Sequence, residues 1–185
     1  MQEARSARLE IAANSPASAL AAQDGGADRI ELLTALELGG LTPTQAQIAL
    51  TREHVSLPIY VLIRPRAGDF VYSELEVETM RRDIETCVAL GCDGVVIGIL
   101  DGDDNVDVPR CRALIDAAGK AGVAFHRAFD LSADPRRALE DVIALGCERV
   151  LTSGARETAL AGAALIRELI AQAAGRIEVM PGAGI

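Results

Sequence analysis

Apolar and polar positions along the chain fall into two alternating rhythms. Short runs rich in β-branched and apolar residues, Leu9–Ala13, Arg29–Leu33, Pro58–Ile63, Gly94–Gly98, Val123–His126, Arg149–Thr152 and Ile177–Met180, predict seven strands. The intervals between them carry helical spacing. Val77, Met80, Ile84 and Cys87 recur at steps of 3, 4 and 3, one apolar stripe, and Leu139, Val142 and Ile143 make another. Ser15-Pro16, Thr42-Pro43 and Asp134-Pro135 each set a capping residue before a proline suited to the first helical position, which predicts helix starts there. Strict alternation of strand and helix predicts a parallel sheet with right-handed crossovers.

An internal repeat narrows the architecture. Gly26-Ala27-Asp28-Arg29-Ile30 returns as Gly91-Cys92-Asp93-Gly94-Val95 and as Gly146-Cys147-Glu148-Arg149-Val150, after 65 and 55 residues. Each copy reads as a glycine that stops a helix, a small residue, an acid and the start of a strand. The copies precede strands 2, 4 and 6. Repetition at every second βα unit predicts an α/β barrel of the TIM (β/α)8 type, whose interior layers are filled by alternate strands.

Composition sets bounds on function. Half of the 185 residues are hydrophobic and the net charge is −9, so the chain has the makings of a folded single domain. An acidic balance without a basic run argues against a nucleic-acid partner. No apolar run approaches the ~20 residues a membrane span needs, and the N-terminal residues carry no secretory pattern. The expectation is a cytoplasmic protein. Cys87, Cys92, Cys111 and Cys147 form no CxxC pair; the five-residue step between Cys87 and Cys92 suits neither a zinc knuckle nor one helix face, and all four read as core residues.

In a barrel, chemistry gathers at the C-terminal ends of the strands. That rule selects Glu10, Glu31, His126 and Asp130 as candidate acid–base groups, and Arg64, Arg66, Arg127, Thr152, Ser153, Gly154, Gly182 and Gly184 as candidate anion-binding groups. Glu10 and Glu31, turned inward near Arg64 and His126, would form a paired cluster. Two readings stand: an ion-pair network tying strands together, or a pocket for a small phosphorylated or carboxylated metabolite clamped by Arg64 and Arg66. Glu10, Glu31 and His126 could alternatively hold a divalent metal such as zinc or manganese. His54 falls at the opposite end. The single lysine, Lys120, also lies there, which excludes a Schiff-base aldolase.

Arg29-Ile30-Glu31-Leu32, Gly39-Gly40-Leu41-Thr42-Pro43, Ile63-Arg64-Pro65-Arg66 with Gly68-Asp69-Phe70, Phe125-His126-Arg127-Ala128-Phe129-Asp130 and Val150-Leu151-Thr152-Ser153-Gly154 resemble the signature segments of the CutC family, named for copper homeostasis. The resemblance runs from Leu9 to Ile185. It implies a cytoplasmic TIM-type barrel, a homo-oligomer (dimer or tetramer), copper binding, and no accepted reaction. Two departures matter. The cysteines that members carry near the ends of strands 1 and 2, proposed as copper ligands, correspond here to Ala12 and Leu33, which offer no donor. The expectation is little or no stoichiometric copper(I). Ala67 and Ala183 stand where the family usually has glycine, a minor change if those backbones avoid positive φ. Beside copper handling, the sequence leaves open an enzyme or binder of a small anion and a non-catalytic scaffold.

A full barrel of this type takes ~250 residues. The expectation for residues 1–185 is one CutC-like domain that is C-terminally truncated relative to a full barrel, with about seven strands and without strand 8 and its flanking helices.

Overall fold

All seven strands form within one residue of their expected bounds, in a computed structural model that describes residues 7–185. They are β1 (Glu10–Ala13), β2 (Arg29–Leu32), β3 (Ile59–Leu62), β4 (Gly94–Ile97), β5 (Gly122–Phe125), β6 (Arg149–Thr152) and β7 (Glu178–Pro181). One helix follows each of the first six: α1 (Pro16–Asp24), α2 (Gln45–His54), α3 (Glu74–Ala89), α4 (Val108–Ala118), α5 (Pro135–Leu145) and α6 (Ala163–Ala173). The strands pair in parallel and in chain order, β1 to β7. No helix among the described residues is long and apolar enough to cross a membrane.

Local sequence explains most boundaries. Ser15 and Asp134 cap α1 and α5 ahead of their prolines, as expected. At α2 the expectation shifts by two residues. Thr42 is committed elsewhere, its hydroxyl accepting from the Arg64 backbone N–H at 2.8 Å, and Thr44 caps the helix in a reciprocal box with Gln47. Ser73 and Glu76 form the same box on α3.

Alternation along the strands separates two cores. On β3, Ile59, Val61 and Ile63 join the layer packed under the helices, while Tyr60 and Leu62 join Leu33, Val96 and Ala124 inside the barrel. The sheet curls around that interior: Tyr60 on β3 reaches Glu148 ahead of β6 at 2.6 Å, and Glu10 on β1 lies 3.7 Å from Arg149 on β6. Room for Tyr60 comes from glycines. A Cβ on Gly94 would stand 2.1 Å from its ring, and one on Gly122 would stand 2.1 Å from its hydroxyl. β1 and β7 form the two edges, and a cleft of about 460 Å³ lined by Leu9, Glu10, Ala12, Glu31, Leu151 and Met180 runs along them.

The repeat is one device used three times. Gly26, Gly91 and Gly146 adopt φ of +87°, +76° and +84°. In each copy the glycine N–H reaches back three residues and the next N–H reaches back five, Cys92 to the Cys87 carbonyl at 3.0 Å for example, which closes a Schellman cap. The acid then ties down a neighbouring strand. Asp28 accepts from the Leu9 N–H at 2.7 Å and Asp93 from the Ile59 N–H at 2.9 Å, whereas Glu148 takes the Tyr60 hydroxyl instead.

Candidate functional site at the barrel mouth

The inward-facing charges separate into two groups along the barrel axis. Toward the N-terminal end, Glu10 pairs with Arg29, while the Arg149 guanidinium lies 4.0 Å from the Tyr60 ring centre. Glu10 therefore serves a buried ionic layer that ties β1, β2 and β6, which is the bland reading of the sequence for this residue. It does not enter the mouth pocket with Arg64 and His126.

Glu31, one pleat further along, does reach the mouth. With Gly39, Leu62, Arg64, Phe70, His126, Arg127 and Leu151 it lines a cavity of about 80 Å³. Burial first, then the charge of Glu10 and a hydrogen bond shared with it, push Glu31 up to about 8, against the pull of Arg149 and Arg29. At neutral pH Glu31 is therefore mainly a carboxylic acid, its proton shared with Glu10.

His126 follows the last residue of β5 and turns into the same cavity. Its Nδ1 accepts the Ala128 backbone N–H at 3.1 Å, which places the proton of the neutral ring on Nε2. Burial, then the charge of Arg64, push the imidazole down to about 3, so the ring stays neutral. Nε2 is buried without a hydrogen-bond partner. Gly98 makes the space, since a Cβ there would lie 2.4 Å from His126 Cε1.

Arg64 closes the opposite wall. Its Nη1 donates to the Leu38 and Gly40 carbonyls and its Nη2 to Gly68, and the guanidinium lies 4.9 Å from the Phe70 ring centre. These bonds fix the glycine-rich loop over the barrel and leave Nε buried and unpaired. Phe70, 4.9 Å from the His126 ring centre, completes the wall. Sequence reasoning named neither Phe70 nor Gly98 as a site residue; the Gly68-Asp69-Phe70 segment beside Arg64 was the available signal for the first.

The expected clamp of Arg64 with Arg66 does not form. Arg66 is held outside by Asp69 at 2.9 Å and Glu76 at 2.5 Å, and lies over Tyr72. Asp130 is likewise no free acid or base. Its carboxylate accepts from the Ser153 and Ala155 backbone N–H groups, the Thr152 hydroxyl and Arg127. Burial opposes its ionisation, but these bonds hold the carboxyl below its ordinary value. The turn after β6 was expected to offer N–H groups to a ligand anion; Asp130 is the anion it holds. The Gly154 N–H goes to the Thr152 hydroxyl at 2.9 Å and the Gly182 N–H to the Thr152 carbonyl at 3.0 Å. Gly184 packs toward Thr158, where a Cβ would come within 3.0 Å of Cγ2. Ala183 adopts φ of +76°, so replacement of glycine there is strained rather than minor, whereas Ala67 avoids positive φ.

Metal chemistry fits the mouth poorly. Among the described residues no group of three or more His, Cys, Asp or Glu side chains could hold an ion, so Glu10, Glu31 and His126 do not form the divalent site considered above. Leu33 is buried apolar surface, Ala12 offers only a methyl group, and all four cysteines are free and buried. Copper(I), which favours sulfur donors, finds none in the mouth lining.

Comparison with known proteins agrees with the sequence resemblance. The CutC family model matches residues 7–185. Family protein CutC of Xanthomonas campestris pv. campestris (strain B100) is 63% identical over 177 residues, covering 96% of this chain and 74% of that protein. The corresponding protein of Chromobacterium violaceum is 52% identical, with 96% and 72% covered. A crystal structure of a CutC from Streptococcus agalactiae superposes with a TM-score of 0.92 at 31% identity, over 96% of this chain and 88% of that one. An aldolase superposes with a TM-score of 0.69 at 16% identity and shares the barrel fold alone. The chain belongs to the CutC family.

Proposed function

We propose that the barrel mouth binds a small carboxylate-bearing molecule, the ligand's carboxylate being received by Arg64 and His126 beside Glu31. One observation carries this reading: two buried N–H donors without partners, Arg64 Nε and His126 Nε2, belong to residues that line the same cavity. Buried donors left unpaired cost about 1–3 kcal/mol each, so a ligand that pairs both recovers a substantial binding energy. The guanidinium supplies charge, the neutral imidazole supplies a directed donor, and protonated Glu31, its proton shared with Glu10, presents no negative charge to the ligand. A carboxylate suits this set better than a phosphate group, because the backbone N–H turn that would cradle a phosphate is filled by Asp130. A cavity of about 80 Å³ admits a small head group, with Arg127, 43% exposed, at its rim.

The test is a thermal-shift screen of formate, acetate, oxalate, other small carboxylates and inorganic phosphate. Wild type is expected to gain stability with a small carboxylate, and Arg64→Lys, which loses the Nε geometry, is expected to lose that gain. A flat response from wild type to every carboxylate would overturn the reading. Family membership favours copper handling as a second reading. The donors at the mouth are nitrogen and oxygen only, so no copper chemistry is assigned to that site.

A further inference from the structure

Two spaces meet inside the barrel. The mouth cavity of about 80 Å³ and the cleft of about 460 Å³ along β1 and β7 are distinct, yet Glu31 and Leu151 line both. Glu31 is the polar half of the partition between them, and Leu151 is the apolar half.

Leu151 owes its place to strand parity and to a glycine. On β6 it shares the inward face with Arg149, one pleat closer to the mouth, while Val150 between them joins the core packed under the helices. Its register partner is Met180 on β7, which lines the cleft. Just past β7 the chain comes so near that a Cβ on Gly182 would stand 2.4 Å from Leu151 Cδ1. The leucine is therefore packed against the backbone that bounds this side of the barrel. The spaces it separates differ in character. Arg64 and His126 stand on the mouth side, whereas Ala12, Met180 and Pro181 give the cleft an apolar lining.

We infer, on the carboxylate reading of the mouth, that Leu151 sets the length of the ligand. Its side chain ends the mouth cavity, so the site takes a carboxylate on a short stem and keeps longer aliphatic acids out of the cleft behind it. A stem gains roughly fourfold in affinity for each methylene it buries. Against Leu151 a longer stem finds no apolar space to enter, and its further methylenes stay in water. Cutting Leu151 back to alanine joins the two spaces and gives the stem a place to run. The head group and the stem are thus read by different residues, Arg64 and His126 for the first and Leu151 for the second.

The experiment is isothermal titration of the full chain with acetate, propionate, butanoate and hexanoate, for wild type, Leu151→Ala and the milder Leu151→Val, with thermal melting to check folding. The readout is the ratio of hexanoate to propionate affinity, which cancels any general weakening of the site. A ratio of about 1 or less is expected for wild type, with a rise of at least tenfold in Leu151→Ala and a smaller rise in Leu151→Val. A wild-type ratio already at tenfold, or a ratio that neither variant raises, would overturn the role of Leu151 while leaving the carboxylate reading in place. Variants that fold but bind neither acid would also overturn it. Wild type that binds none of the acids would overturn the carboxylate reading and the role of Leu151 together.

Discussion

The Asp130 carboxylate accepts the backbone N–H of Ser153 at 3.0 Å and lies 2.9 Å from the hydroxyl of the same residue. This relationship locks the short 3-10 segment after β5 onto the turn after β6, the two loops that flank the mouth cavity on one side. Asp130→Asn keeps the shape but turns an amide donor toward N–H and O–H donors. It is expected to destabilise the protein by about 2–4 kcal/mol, the scale for charged hydrogen bonds lost in a buried site. Urea denaturation checks this.

Tyr60 and the glycines facing it give a sharper structural test. Gly122→Ala brings a methyl group against the Tyr60 hydroxyl and the Glu148 carboxylate, whereas Gly94→Ala strikes the Tyr60 ring itself, with Cε1 at 2.1 Å and Cδ1 at 2.4 Å. Tyr60→Phe removes the hydroxyl and frees Glu148, at a cost of about 1 kcal/mol for the lost hydrogen bond. The double variant Tyr60→Phe/Gly122→Ala is therefore expected to recover much of the stability lost in Gly122→Ala. Tyr60→Phe/Gly94→Ala is expected to recover none. A double-mutant cycle measured by chemical denaturation distinguishes the two.

Stability should depend on pH in two opposed ways. Glu31, raised from 4.5 to about 8, holds its proton in the folded state, so its contribution is full below the unfolded value and is lost as pH rises toward 8. His126, lowered from 6.5 to about 3, contributes above its unfolded value and is lost as pH falls toward 3. The two slopes oppose each other between about pH 4.5 and 6.5. Above that range the Glu31 slope stands alone, at most ~1.4 kcal/mol per pH unit. Glu31→Gln, a neutral mimic of the acid, is expected to flatten the loss between pH 6.5 and 8 in denaturation series run across that range.

Much of the fold was legible because its signals are local. Two of the three predicted proline-marked helix starts, all seven strands and the repeated glycine stops follow from residues within a few positions of one another. Thr42 was misassigned because its hydroxyl serves Arg64, 22 residues away, a partner that no local pattern announces. The site was legible in part. His126, Arg64 and Glu31 were found from their places at the C-terminal ends of the strands and come together at the mouth. Glu10 has the same inward parity as Glu31 but lies one pleat closer to the N-terminal end, where Arg29 and Arg149 claim it. Parity along a strand gives the face of a residue, and register against its neighbours gives its depth. Asp130 and Arg66 were misread for a related reason, since charge was counted without knowing which partner had already taken it.

The central claim, that Arg64 and His126 receive a carboxylate beside a neutral Glu31, is tested most directly by isothermal titration of the wild-type chain and of His126→Ala with acetate and oxalate at pH 6.5, repeated above pH 8.5. Binding of one equivalent is predicted for wild type at pH 6.5, weakened at least tenfold in His126→Ala and again in wild type once Glu31 ionises. Affinity unchanged by the loss of His126 and by the rise in pH, or no binding by wild type at all, would contradict it.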